Sequence, residues 1–95
     1  MPEMTLLVRW PDATETRNYS PSSIIAQHFR AGETIPLPQF LPRARIAVRA
    51  ASDRVVQTYG YPCSRAAATL AAIEQNAAKF LTDPDAAVTI LEIRP

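Results

Sequence analysis

Residues 86–93 read AAVTILEI, an alternating, β-branched run that follows two stretches of helical periodicity and is set off from them by Asp83-Pro84-Asp85. Aspartate and proline in that order stop a helix and shape a turn, and a period of two is that of a strand. A strand needs partners, and two others precede it. MTLLVRW, residues 4–10, sets Met4, Leu6, Val8 and Trp10 against Thr5, Leu7 and Arg9. PDAT, residues 11–14, is a tight connection, and ETRNY, residues 15–19, is a second and more polar strand suited to a sheet edge. The expected sheet therefore has three strands, an N-terminal hairpin plus the C-terminal strand. The last of these carries apolar residues on both faces, Val88 and Ile90 on one, Leu91 and Ile93 on the other. Helices cover one face; a second copy of the chain is the expected cover for the other, which makes the protein a homodimer.

Between hairpin and final strand the pattern is helical. Ser20 before Pro21 reads as an N-cap and first helical residue, opening a short helix through Ile24, Ile25 and Phe29 that Gly32 ends. ETIPLPQFLP, with prolines at 36, 38 and 42, reads as a stiff, partly extended connection. From about residue 40 to Tyr59, Phe40, Leu41, Ala44, Val48, Ala51, Val55 and Tyr59 share one arc of a helix, while Arg43, Arg45, Arg49, Asp53 and Arg54 lie opposite. Ile46 and Val56 break that polar side and add to the case for a dimer. Gly60 suits a left-handed cap, and Pro62 forbids continuation. A third helix, from Cys63 or Ser64 to about Leu81, carries Leu70, Ile73, Ala77, Phe80 and Leu81 on one side and seven alanines in all. Small side chains let helices approach closely, so these two long helices are expected to form a hairpin on one face of the sheet. The fold class is α+β, with residues 1–95 as a single domain.

Composition narrows the functions. Hydrophobic residues at 47% and charged residues at 20% describe an ordinary globular chain. A net charge of +1 gives no field to attract nucleic acid or anionic lipid. Nine of the ten basic residues are arginine, Lys79 being the exception, but Asp53 interrupts the main group and a solvated helix face accounts for it. No apolar run is long enough to span a bilayer. His28 and Cys63 are each alone in kind, so neither a metal site nor an internal disulfide is expected, and a cytoplasmic setting follows from the unpaired cysteine and the absence of a signal-like start. No cofactor is expected either, since a chain with only Gly32 and Gly60 has no glycine-rich phosphate loop.

The chemical candidates centre on YGYPCSRA, residues 59–66. Cys63 at a helix N-terminus, with Arg65 two residues on, is the setting of a reactive thiol; the simpler reading is a small residue filling the helix start. His28 is the one histidine that a Cys63 nucleophile could use as base, and it sits on a different, apolar helix. Trp10-Pro11-Asp12 spells the mobile loop of tyrosine phosphatases, but an alanine-rich helix follows the cysteine where those enzymes need a glycine-bearing cradle, so Asp12 belongs to a hairpin turn. Asp83 and Asp85 are turn residues and not a catalytic pair.

VRWPD near the start, YSPS at 19–22, RVVQTYGYPCSRA at 54–66 and the closing VTILE together resemble a family of small bacterial nitrogen-starvation response proteins over nearly the whole chain. The resemblance implies a gene neighbourhood with a nitrilase, a radical-SAM protein, a flavin-dependent oxidoreductase and an acetyltransferase. It implies no particular activity. It does favour Tyr59, Pro62, Cys63, Ser64 and Arg65 as a functional corner. The expectation is a non-enzymatic accessory or regulatory protein that contacts a protein partner from the nitrilase-containing pathway. The alternative is a small enzyme or carrier with Cys63 as nucleophile and Arg65 holding an anionic group.

Overall fold

The computed structural model describes residues 3–95. Strand β1, Met4–Arg9, and strand β2, Glu15–Ser20, form the expected hairpin; β3 is Thr34–Pro36 and β4 is Ala87–Arg94. Helix α1 spans Leu37–Tyr59 and helix α2 Ser64–Ala78, with a 3₁₀ turn at Ser23–Gln27 before β3. The fold is α+β as expected, but the sheet has four strands in the order β2-β1-β4-β3, all pairs antiparallel. The extra strand lies in the proline-rich connection. Ile35 is buried while Thr34 and Pro36 are exposed, so three residues alternate well enough to occupy the free side of β4. Pro36 is tolerated because β3 is an edge.

β4 also departs from regular alternation. Val8 faces Ile90 but Leu7 faces Glu92, which leaves Leu91 as the extra residue of a bulge. The bulge reverses the parity of the strand, so Ile93 lies opposite Leu6 on the inner face and packs against the core. The expected second apolar face thus reduces to half-buried Leu91 among polar groups such as the Thr34–Thr89 hydroxyl pair, 3.2 Å apart.

The core lies between the inner sheet face and the helices. Leu6, Val8, Val88 and Ile90 meet Phe40, Ala44, Ala47 and Val48 of α1 and Ala66, Ile73 and Ala77 of α2. Trp10 stands edge-on to Phe40 at 5.7 Å, and its indole N–H donates to Thr16 Oγ1 at 2.9 Å, so the largest side chain of the core has its polar atom satisfied. On β2 the inner face is polar. Buried Asn18 donates to the Leu6 carbonyl at 3.1 Å, and Ser20 donates to the Ser22 carbonyl at 2.8 Å.

Helix boundaries shift in ways that local chemistry explains. The short helix is a 3₁₀ turn capped by Ser22, whose hydroxyl accepts from the Ile24 amide, while Ser20 braces the turn from below. Gly32 does not end it; Gly32 adopts φ 90° just before β3 and donates its amide to the Ile90 carbonyl at 2.6 Å. Helix α1 begins at Leu37, three residues before the expected start, because a proline in the first turn removes no helical hydrogen bond. Pro42 inside the helix removes one, and it faces solvent. Helix α2 ends at Ala78 and leaves Leu81 exposed; Tyr59, expected on the apolar arc of α1, is exposed as well. Among the described residues no helix is long and apolar enough to cross a membrane.

Candidate functional site

The five residues singled out in the sequence come together where α1 turns into α2. Gly60 caps α1 with φ 82° and donates its amide to the Val56 carbonyl at 2.8 Å, the left-handed cap expected of it. Pro62 then holds the chain extended, and Cys63 takes the N-cap position of α2 at φ −91°, ψ 114° without a side-chain cap bond. Tyr59, Pro62, Cys63, Ser64 and Arg65 all line one cavity of about 330 Å³, with Glu3, Tyr19 and Tyr61 among its other walls.

Its polar wall is a three-part contact. The Arg65 guanidinium lies over the Tyr19 ring, 3.6 Å from the centroid, and the Tyr19 hydroxyl donates to Glu3 Oε1 at 3.1 Å. Arg65 and Glu3 approach only to 4.0 Å with both side chains largely exposed, so the cation–ring contact holds Arg65 more firmly than the ion pair does. Partial burial raises the Tyr19 phenol above its ordinary range; the hydrogen bond to the Glu3 carboxylate and its negative charge add to this, and Arg65 opposes it. Tyr19 thus stays a neutral donor at physiological pH. Opposite this wall, the rings of Tyr59 and Tyr61 lie 6.3 Å apart and open to solvent.

Cys63 is half-buried and packs against the core. Together with Pro62 it also borders a narrower groove between α1 and α2, of about 200 Å³, lined by Val48, Ala66 and Leu70. His28 does not join it. The imidazole lines another cavity, beside Arg43, so no Cys63–His28 pair is assembled. Asp12 accepts from the Thr14 hydroxyl at 2.6 Å and the Thr14 amide at 3.1 Å, which makes Trp10-Pro11-Asp12 the hairpin turn expected of it. These bonds hold the Asp12 carboxyl below its usual range. Among the described residues no group of three histidine, cysteine or carboxylate side chains is placed to hold a metal ion.

Sequence reasoning missed Tyr19 and Glu3. Both lie more than 40 positions from Arg65, and only the packing of α2 against β2 brings them to it. Tyr19 did stand at the head of the YSPS run, which was the one available signal.

No curated protein and no solved structure matches the chain. A family described as nitrogen starvation-induced protein NitG does match, over residues 5–93. Since that span runs from β1 through the α1–α2 corner to β4, the likeness is to the whole fold and not to one motif, and the chain belongs to the NitG family.

Proposed function

We propose that this protein is an accessory or regulatory component of the bacterial nitrogen-starvation response that works by protein–protein contact, with the α1–α2 corner as its contact surface. The observation that carries the reading is the pair of Tyr59 and Tyr61, 59% and 64% exposed, beside an exposed Arg65. Tyrosine and arginine are the residues enriched where partners bind, since a rigid ring loses little entropy when covered and a guanidinium keeps hydrogen bonds while desolvated. Rings left in water at a tight turn contribute little to the fold itself. The partner is a protein of a nitrilase-containing pathway, as the family resemblance implies. The protein is a homodimer in this reading, with Ile46 and Val56 of α1, both exposed, at the subunit contact.

The alternative keeps Cys63 as a nucleophile or carrier, favoured by its position between two cavities at the head of α2. One experiment separates them. Tagged wild type, Tyr59→Ala/Tyr61→Ala and Cys63→Ser are used for pull-down from nitrogen-starved cells, with mass spectrometry of the partners and of Cys63. Contact through the corner predicts a partner that Cys63→Ser retains and the folded tyrosine variant loses. A partner retained by the tyrosine variant removes the corner reading, and a covalent adduct on wild-type Cys63 favours the carrier.

A further inference from the structure

A second cavity, of about 430 Å³, lies at the other end of α1 and is lined by Gln27, His28, Arg30, Glu33 and Arg43, with Ala26 and Phe29 as its apolar part. Arg43 and Arg65 are separated by most of α1 and the turn after it; the 16 residues from Arg43 to Tyr59 alone correspond to about 24 Å of helix. The two cavities are therefore distinct.

The acidic group in this cavity is already consumed. Glu33 Oε1 accepts from Arg43 Nη1 at 3.0 Å, and Glu33 Oε2 accepts from Arg43 Nη2 at 3.1 Å and from the Arg30 amide at 2.7 Å. Arg43 also donates to the His28 carbonyl, and its guanidinium lies 5.0 Å from the Phe29 ring centroid. One arginine thus clasps both ends of the 28–33 loop, which braces the backbone that carries His28 and Arg30. Two side chains of this loop, and Gln27 just before it, have work left to do. The Arg30 guanidinium, the His28 imidazole and the Gln27 carboxamide make no hydrogen bond or ion pair among the described residues, and no carboxylate other than Glu33 lines the cavity.

A donor-rich wall on a braced loop, with one unspent guanidinium and no unspent carboxylate, suits an oxyanion. We propose that this cavity binds a small molecule bearing a carboxylate or phosphate group, with Arg30 as the principal contact and Gln27 and His28 as further donors. The site is independent of the contact surface proposed above.

The test is a titration of the ¹⁵N-labelled protein with inorganic phosphate and, separately, with citrate, each at constant ionic strength against a chloride control. The expected result is saturable shifts at residues 26–33 and 43 with one or both oxyanions and not with chloride. Arg30→Ala keeps the backbone amide that Glu33 accepts from and removes only an exposed side chain, so the fold should persist; losing a charge-assisted hydrogen bond should weaken binding roughly tenfold or more. Arg65→Ala should bind as wild type. Absence of saturable shifts, equal shifts with chloride, or unchanged affinity in Arg30→Ala would each overturn the proposal.

Discussion

Ala13 holds a backbone angle that suits glycine better. Its φ is 70°, and it closes the β1–β2 hairpin through its amide to the Trp10 carbonyl at 2.9 Å, with Trp10 in turn donating to the Thr14 carbonyl at 2.8 Å. This is a three-residue loop whose last member must be left-handed. Ala13→Gly should therefore raise stability, by up to about 1 kcal/mol once the greater freedom of glycine in the unfolded chain is subtracted. Ala13→Val should lower it by roughly 1–2 kcal/mol. Thermal unfolding of the pair checks both signs, and a glycine variant that melts earlier would sink the account. Gly60 is the reverse case. A Cβ there would meet nothing within 4 Å, so Gly60→Ala should cost only its backbone strain, about 1 kcal/mol, seen in urea titration. The two positions also mark what local sequence can reveal. Gly60 stood at the end of a periodic run and before a proline, whereas alanine at 13 carries no turn signal, so its special angle was invisible.

Among the elements, the Glu33–Arg43 clasp joins the loop before β3 to α1. The hydrogen bonds from Arg43 hold the Glu33 carboxyl below its ordinary range, with the Arg30 amide helping and burial opposing. A depressed carboxylate contributes stability above its unfolded value and loses that contribution as pH falls through its folded value. Glu33→Gln should thus cost about 1 kcal/mol at neutral pH, reduced by the partial exposure of both partners, and its gap to wild type should close in acid. Urea titrations at neutral pH and near pH 3 measure this, and a gap that widens in acid would contradict it. The bulge in β4 makes a separate prediction. Deleting Leu91 leaves Val8 opposite Ile90 and Leu6 opposite Ile93 in one unbroken register, so the variant should fold and lose on the order of 1 kcal/mol with the half-buried side chain. Methyl contacts between Leu6 and Ile93 in its NMR spectrum are the readout, and their absence would refute the register. Helices and long strands were legible because many residues repeat one period. β3 was not, since three residues ending in a proline carry no period and become a strand only when β4 offers an edge. The bulge was hidden for a like reason: AAVTILEI is compatible with two registers, and β1 selects one.

At the scale of the molecule, the dimer expectation has lost one of its two grounds, because Ile93 turns inward, and rests on Ile46 and Val56. Light scattering at micromolar concentration should give twice the 10.5 kDa chain mass, and Ile46→Glu should return it to the single value. A wild type of single mass at every concentration would remove the idea. That the five corner residues share one cavity follows from their being consecutive or nearly so; their neighbours Glu3 and Tyr19 depend on how distant segments meet, which no local pattern encodes. Strand order was unreadable on the same ground, and it bears on how the protein is made. β4 is the last of the described strands to be synthesised, yet it occupies the middle of the sheet, between β1 and β3. Until it leaves the ribosome, β3 has no neighbour, the β1–β2 hairpin has one open side, and the apolar faces of both helices have only half a floor to rest on. The nascent chain must therefore carry that unsatisfied surface until β4 has emerged, an interval in which chaperones bind and aggregation competes, and close it in the step that inserts β4 between β1 and β3.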